Sequence, residues 1–221
     1  SGSGKGLNWC LHGFTKPVSN WCERVLREQG CLTAEPIYNK VKDFALEFYS
    51  DGRGEVRFAG YSVFSTNEHG AYTGNLLASD GQIEESIACC LSLEKLTGIR
   101  EALRAELASI YGNTYTGYLG VDMMVCRSDK ENGYRVHPCV EINMRMNMGV
   151  VARLFYDRFV ALGSKGCFAV EYVPDNETLR ARHEQDVHDY PLTVEQGRLA
   201  SGYLPLVPVT GKSCYRAYVR I

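Results

Sequence analysis

Hydrophobic and polar positions alternate most regularly between Lys40 and Thr66. Two strand-like runs there flank Asp51, Gly52, Arg53 and Gly54, a turn rich in residues that tolerate positive φ, so the segment predicts a β-hairpin. Upstream, residues 7–14 alternate well enough for a strand. Val18, Trp21, Cys22, Val25 and Leu26 fall on one face of a helix that Pro17 opens and Gly30 closes. Residues 31–36 read as a short buried strand ended by Pro36. Beyond the hairpin, residues 71–79 predict another strand. Ile83, Ile87, Cys90 and Leu91 then mark a helix behind the capping-box pair Ser79 and Gln82. A second helix carries Ile99, Leu103, Leu107 and Ile110 and stops at Gly112.

Residues 116–128 and 134–146 predict two antiparallel strands joined by a polar turn at 129–133. A helix with Val151, Leu154, Phe155 and Phe159 follows, with Gly163 as its stop. The tail predicts a strand at 167–172, a polar helix near 175–187 and strands near 203–209 and 214–221. In the last of these Tyr215, Ala217 and Val219 share a face. Long hairpins alternating with helices, without βαβ regularity, indicate an α+β fold with a largely antiparallel sheet.

Composition narrows the classes. The 221 residues suffice for one large domain or a domain plus an appendage, and 14 Tyr with 8 Phe suit a well-packed core. A formal net charge of -2 argues against broad nucleic-acid binding, which needs a basic face. No apolar run approaches the ~20 residues that span a bilayer, and no stretch has the layout of a secretory signal. Nine Cys, an odd number with no C-x-x-C pair and no His at ligand spacing, suit reduced thiols in a cytoplasmic protein. No linker, repeat or low-complexity segment stands out.

The candidate chemistry centres on Glu141, Ile142 and Asn143. Residues i and i+2 of a strand face the same side, so the Glu carboxylate and the Asn amide oxygen point together while Ile142 enters the core. Asp122 lies between Val121 and Met123 on the preceding strand. Pairing of the two strands would converge these hard oxygen donors in a set that suits Mg²⁺. Arg145, two residues on, would project from the same face toward anionic oxygens. A Glu and an Asn alternating on a strand are also an ordinary solvated face, so the set gains its meaning from its company. Ser1, Gly2, Ser3, Gly4, Lys5 and Gly6 read as a phosphate-covering loop or as an added glycine–serine linker. A Walker A loop is excluded, because Gly6 stands where Ser or Thr must follow the lysine. The five histidines show no triad or metal spacing. The polar loop around His69, between two strands, is the place expected for an acceptor substrate.

Together, "GYLGVDMMV", "VHPCVEINMRMNMG", "SGSGKG", "LTAEP" and "KVKDFALEF" resemble the ATP-grasp superfamily, with the pieces in its chain order over residues 1 to about 160. The resemblance implies an ATP-grasp fold and an ATP- and Mg²⁺-dependent (or Mn²⁺-dependent) ligase that activates a carboxylate as an acyl phosphate for an amine or thiol. The alternative is a nucleotide-binding or interaction module without catalysis of its own. By position, Ser1, Gly2, Ser3, Gly4, Lys5 and Gly6 would cover the phosphates. Main-chain atoms near Glu35, Pro36 and Ile37 would meet the adenine edge, and Asp43 the ribose. Asp122, Glu141 and Asn143 would hold Mg²⁺. Arg145 and Lys5 would stabilise the transferring phosphoryl group, with Lys40 and Lys42 as further cations near the phosphates. Some relatives carry Arg two residues before the first metal acid; here that position is Gly120. The resemblance divides the chain into the remainder of a small subdomain (1–33), a large nucleotide- and metal-binding subdomain (34–165) and a C-terminal extension (166–221). It also implies that an N-terminal domain is lacking and that the sequence starts within the glycine-rich loop.

Overall fold

The structure, a computed structural model, describes residues 8, 10–11, 13–67, 70–128 and 133–221. Helix α1 (Lys16–Gln29) has Pro17 in its first turn and ends at Gly30, whose φ of 79° closes the last turn. Its expected apolar face is only partly used: Val18 is buried and Leu26 is exposed. The described residues of 7–14 form no strand, and 31–36 is irregular. Pro36 has no N–H for a ladder, and of those six residues Leu32 alone is even half-buried, so burial does not drive a strand there.

The predicted hairpin is β1 (Lys40–Asp51) and β2 (Val56–Thr66), antiparallel throughout. Asp51 organises the turn by accepting from the N–H of Arg53 at 2.8 Å and of Glu55 at 3.1 Å. Strand β3 (Tyr72–Leu77) leads into α2 (Asp80–Ala88), where Ser79 and Gln82 form the full capping box. Helix α3 (Leu93–Tyr111) follows, then the paired strands β4 (Thr116–Ser128) and β5 (Gly133–Asn143) and helix α4 (Met148–Phe159). Strand β6 (Gly166–Tyr172) and α5 (Asn176–Asp189) precede β7 (Thr193–Glu195), β8 (Arg198–Ser201), β9 (Tyr203–Pro205) and β10 (Tyr215–Arg220). The short β7–β8 ribbon is a separate sheet that the sequence pattern does not predict.

The main sheet runs β5-β4-β1-β2-β3-β6-β10-β9, with every neighbouring pair antiparallel. Its two faces bury different layers. Phe44, Leu46, Tyr61, Val121 and Met123 pack with Ile83, Ile87, Leu96 and Leu107 of α2 and α3. Leu77, Phe168 and Val219 pack with Ala152 and Tyr156 of α4 on the other face. That second face is continuous across the sheet, because Val219 stands opposite Phe168, Phe168 opposite Asn75, Asn75 opposite Phe64 and Phe64 opposite Asp43. Each large apolar side chain buried this way contributes roughly 1.5–3 kcal/mol.

Three expected burials change. Ile142 is not in the core but 38% exposed, because β5 is an edge strand and α2 and α3 pack over β1 and β2 instead. Leu154 and Phe159 remain exposed, while α4 buries Val150, Ala152 and Tyr156. In β10 the expected face splits: Val219 is buried and Tyr215 exposed. The opposite side buries Arg216, which donates to Glu171 at 2.7 Å and to Asp186 of α5 at 2.6 Å.

Candidate active site

Residues directly opposite one another in a ladder share a face, so register alone assembles a site. Alternation in β1 puts Asp43, Ala45 and Glu47 on the α4 side. Their β4 partners are Met124, Asp122 and Gly120. On β5, Glu141 stands opposite Asp122 and Asn143 opposite Gly120. Between His137 and Glu141 the edge strand bulges: four steps of β5 match two of β4. The even number keeps Glu141 on the same face as Asp122, and Pro138 falls inside the bulge, where no ladder donor is needed. The alternation read from the sequence therefore survives the irregularity.

These side chains form one connected group. Asn143 donates its amide N–H to Asp122 Oδ2 at 3.1 Å, and Arg145 donates to Asn143 Oδ1 at 2.9 Å. Asp43 pairs with Lys40, whose ammonium also donates to Thr66 Oγ1 at 3.3 Å. Burial raises the Asp122 carboxyl to about 6. Glu141 opposite it raises it next, while Asn143 and Arg145 pull it down and Asp43 pushes it up. Two acids facing each other across a ladder are mutually unfavourable unless a cation or a proton intervenes. Among the described residues no cluster of three His, Cys, Asp or Glu side chains has metal-binding geometry. Two carboxylates and an amide oxygen nevertheless fit a hard divalent ion that completes its shell with water and phosphate oxygens.

Beneath this face lies Glu47, which the sequence reading does not single out. It is 1% exposed. Asn147 donates to its Oε2 at 2.9 Å, and among the described residues Oε1 has no hydrogen-bond partner. Burial raises this carboxyl to about 8; the Asn147 bond opposes the shift and Asp122 adds to it. Gly120 follows from this arrangement. A Cβ there would lie 2.6 Å from Glu47 Oε2 and would collide with the Asn147 amide, so the position has no room for an arginine. The one signal in the sequence is a lone acid inside the otherwise apolar run from Phe44 to Phe48.

The other expected residues separate into two groups. Glu35, Pro36 and Ile37 are exposed and irregular. Next to them Tyr38 meets the ring of His137 edge-on at 5.5 Å, and Asn39 accepts from the Arg127 N–H at 2.9 Å, so the segment runs alongside β4 and β5. Lys42 points to the opposite face and donates to the Ser86 carbonyl of α2. Ser1, Gly2, Ser3, Gly4, Lys5, Gly6 and His69 lie outside the described residues.

No family model matches the chain, and no curated protein does. Solved structures do match. The biotin carboxylase domain of Hydrogenobacter thermophilus 2-oxoglutarate carboxylase, crystallised with MgADP, ADP and bicarbonate, is 13% identical with a TM-score of 0.53. Biotin carboxylase from Campylobacter jejuni is 12% identical with a TM-score of 0.50. Each match covers 100% of this chain and 51% of the other, so the chain spans about half the length of these structures. An Archaeoglobus fulgidus protein assigned to the ATP-grasp superfamily matches 83% of the chain, at 14% identity and a TM-score of 0.43. No helix of the described residues is long and apolar enough to cross a membrane. The eight-stranded antiparallel sheet with its helical layers thus has the fold of these two biotin carboxylase structures, as the expected ATP-grasp fold requires.

Proposed function

We propose that this chain carries the nucleotide- and metal-binding face of an ATP-dependent ligase. The substrates are a small carboxylate and an amine or thiol, and no nucleic acid or membrane takes part. The observation that carries the reading is the register of β4 against β5, which sets Asp122, Glu141 and Asn143 on one face of the sheet, with Arg145 bonded to Asn143 just beyond the strand. MgADP in the crystals of the Hydrogenobacter domain supports Mg²⁺ as the ion at this face.

Asp122, Glu141 and Asn143 would hold Mg²⁺, which when bound neutralises charge on the phosphate oxygens. Asp43, on the same face and nearer the start of β1, would meet the ribose hydroxyls. The substrate carboxylate oxygen attacks the γ-phosphorus, a new P–O bond forms, and the bond to the β,γ-bridging oxygen breaks to release ADP. The nucleophile then adds to the acyl carbon, the C–O bond to phosphate breaks, and the nucleophile loses its proton. Arg145, with its guanidinium already oriented by Asn143, stabilises charge on the transferring group. No covalent nucleophile from the protein is required; positioning and charge compensation suffice.

The test is ADP release by the intact protein supplied with Mg·ATP and panels of small carboxylates and amines. Glu141→Ala should lower the rate by at least about a hundredfold while the circular dichroism spectrum is retained. Equal turnover in the variant would remove Glu141 from the site. A wild-type protein that binds nucleotide but never releases ADP would favour the binding-module alternative.

A further inference from the structure

We propose that Glu47 is a positioning residue: acting through Asn147, it fixes the turn that carries Arg145 from the end of β5 to the start of α4. The proposal takes from the ligase reading what Arg145 does, and from the geometry how Arg145 is held.

The turn is pinned at both ends. At one end Arg145 donates to Asn143, itself bonded to Asp122. At the other, Asn147 uses its side chain twice: its amide N–H donates to Glu47 Oε2, and its Oδ1 accepts from the Val150 N–H at 2.8 Å as the N-cap of α4. Rotating Asn147 away breaks both bonds. Glu47 thus links the middle of β1 to the first turn of α4, one hundred residues along the chain.

The cradle around the pair is built from three further elements. Gly120 of β4 leaves the space that the Asn147 amide and Glu47 Oε2 occupy. Gly149 of α4 leaves space for Glu47 Oε1; a Cβ there would collide with that oxygen and lie 2.5 Å from Ser62 Oγ of β2. Gly60 of β2, opposite Glu47, lies under the stem of Arg153, whose guanidinium is engaged by Asp80 at 2.8 Å and by Asp157. Asp122 is the nearest charged group on β4 that acts on Glu47. Among the described residues no cation is paired with Glu47, and an ionised carboxylate sealed here would carry a large desolvation cost. As a neutral acid it still accepts the Asn147 amide through Oε2 and needs no counter-ion.

Native-state hydrogen exchange and calorimetry on the intact protein test this. In Glu47→Ala the Val150 amide should exchange about tenfold faster while β1 and α3 keep their protection, and Glu47→Gln should restore it. Mg·ATP affinity should fall about tenfold in Glu47→Ala, adenosine affinity should stay unchanged, and Glu47→Gln should recover both patterns. If Glu47→Ala does not fold, Asn147→Ser keeps an N-cap oxygen but is too short to reach Glu47, and should reproduce the split. Val150 exchange equal to wild type overturns the proposal, as does a uniform loss of protection or of both affinities. A wild-type protein that binds no adenine nucleotide refutes the ligase reading, and the exchange comparison then still decides whether Glu47 holds the turn.

Discussion

Glu47 and Asp122 are both pushed up by burial, yet each leads to a different expectation. Glu47 moves from an ordinary 4.5 to about 8 and Asp122 from 3.8 to about 6. An acid raised in the folded state adds stability that is complete below its unfolded value and is lost as pH rises through the folded one. The metal-free protein should therefore lose stability as pH rises from about 4.5 to about 8, where the unfolded chain is already ionised while Glu47 in the fold keeps its proton. At about 1.36 kcal/mol per unit, the stretch from about pH 6 to about pH 8 alone costs about 3 kcal/mol. Glu47→Gln cannot ionise, so denaturant unfolding across that range should show the decline in wild type and a flat line in the variant. Parallel curves would contradict a neutral Glu47. The two acids also differ in legibility. The shared face of Asp122, Glu141 and Asn143 can be read from the sequence because the bulge in β5 keeps the parity of the residues around it. Glu47 cannot, because a strand buried on both faces looks apolar whether or not one position carries a sealed acid.

Elements form where short-range signals agree with burial. The hairpin of β1 and β2 has alternation, a turn that supplies positive φ, and a ladder on both sides of β1. The start of α2 has a complete capping box, with the Gln82 N–H 3.3 Å from Ser79 Oγ and the Ser79 N–H 3.0 Å from Gln82 Oε1. Ser79→Ala should cost about 1 kcal/mol and lower the melting temperature by a few degrees, measured by calorimetry. No change would mean that packing of Ile83 and Ile87 alone sets the helix start. Residues 31–36 show the converse: a short apolar beginning and a terminal proline suggest a strand, but no ladder and little burial are available to make one. The β7–β8 ribbon was illegible because three- and four-residue strands leave no period to detect. The bulge in β5 was invisible for another reason, since it keeps the parity of the flanking residues.

At the scale of the whole molecule, the α+β class was legible and the strand order was not. Joining β3 to β6, and β6 to β10, depends on contacts between segments far apart in sequence. Local pattern cannot rank those pairings. The result is one sheet that carries α4 and the acidic group on the same face, so the position of the proposed nucleotide-binding face follows from strand order as much as from any motif. The most direct measurement is calorimetric titration of the intact protein with ATP, with and without Mg²⁺, in wild type and Glu141→Ala. The account predicts that Mg²⁺ tightens ATP binding to wild type and that Glu141→Ala removes this dependence while weak nucleotide binding remains. ATP binding indifferent to Mg²⁺ in wild type, or no binding of ATP at all, would contradict it.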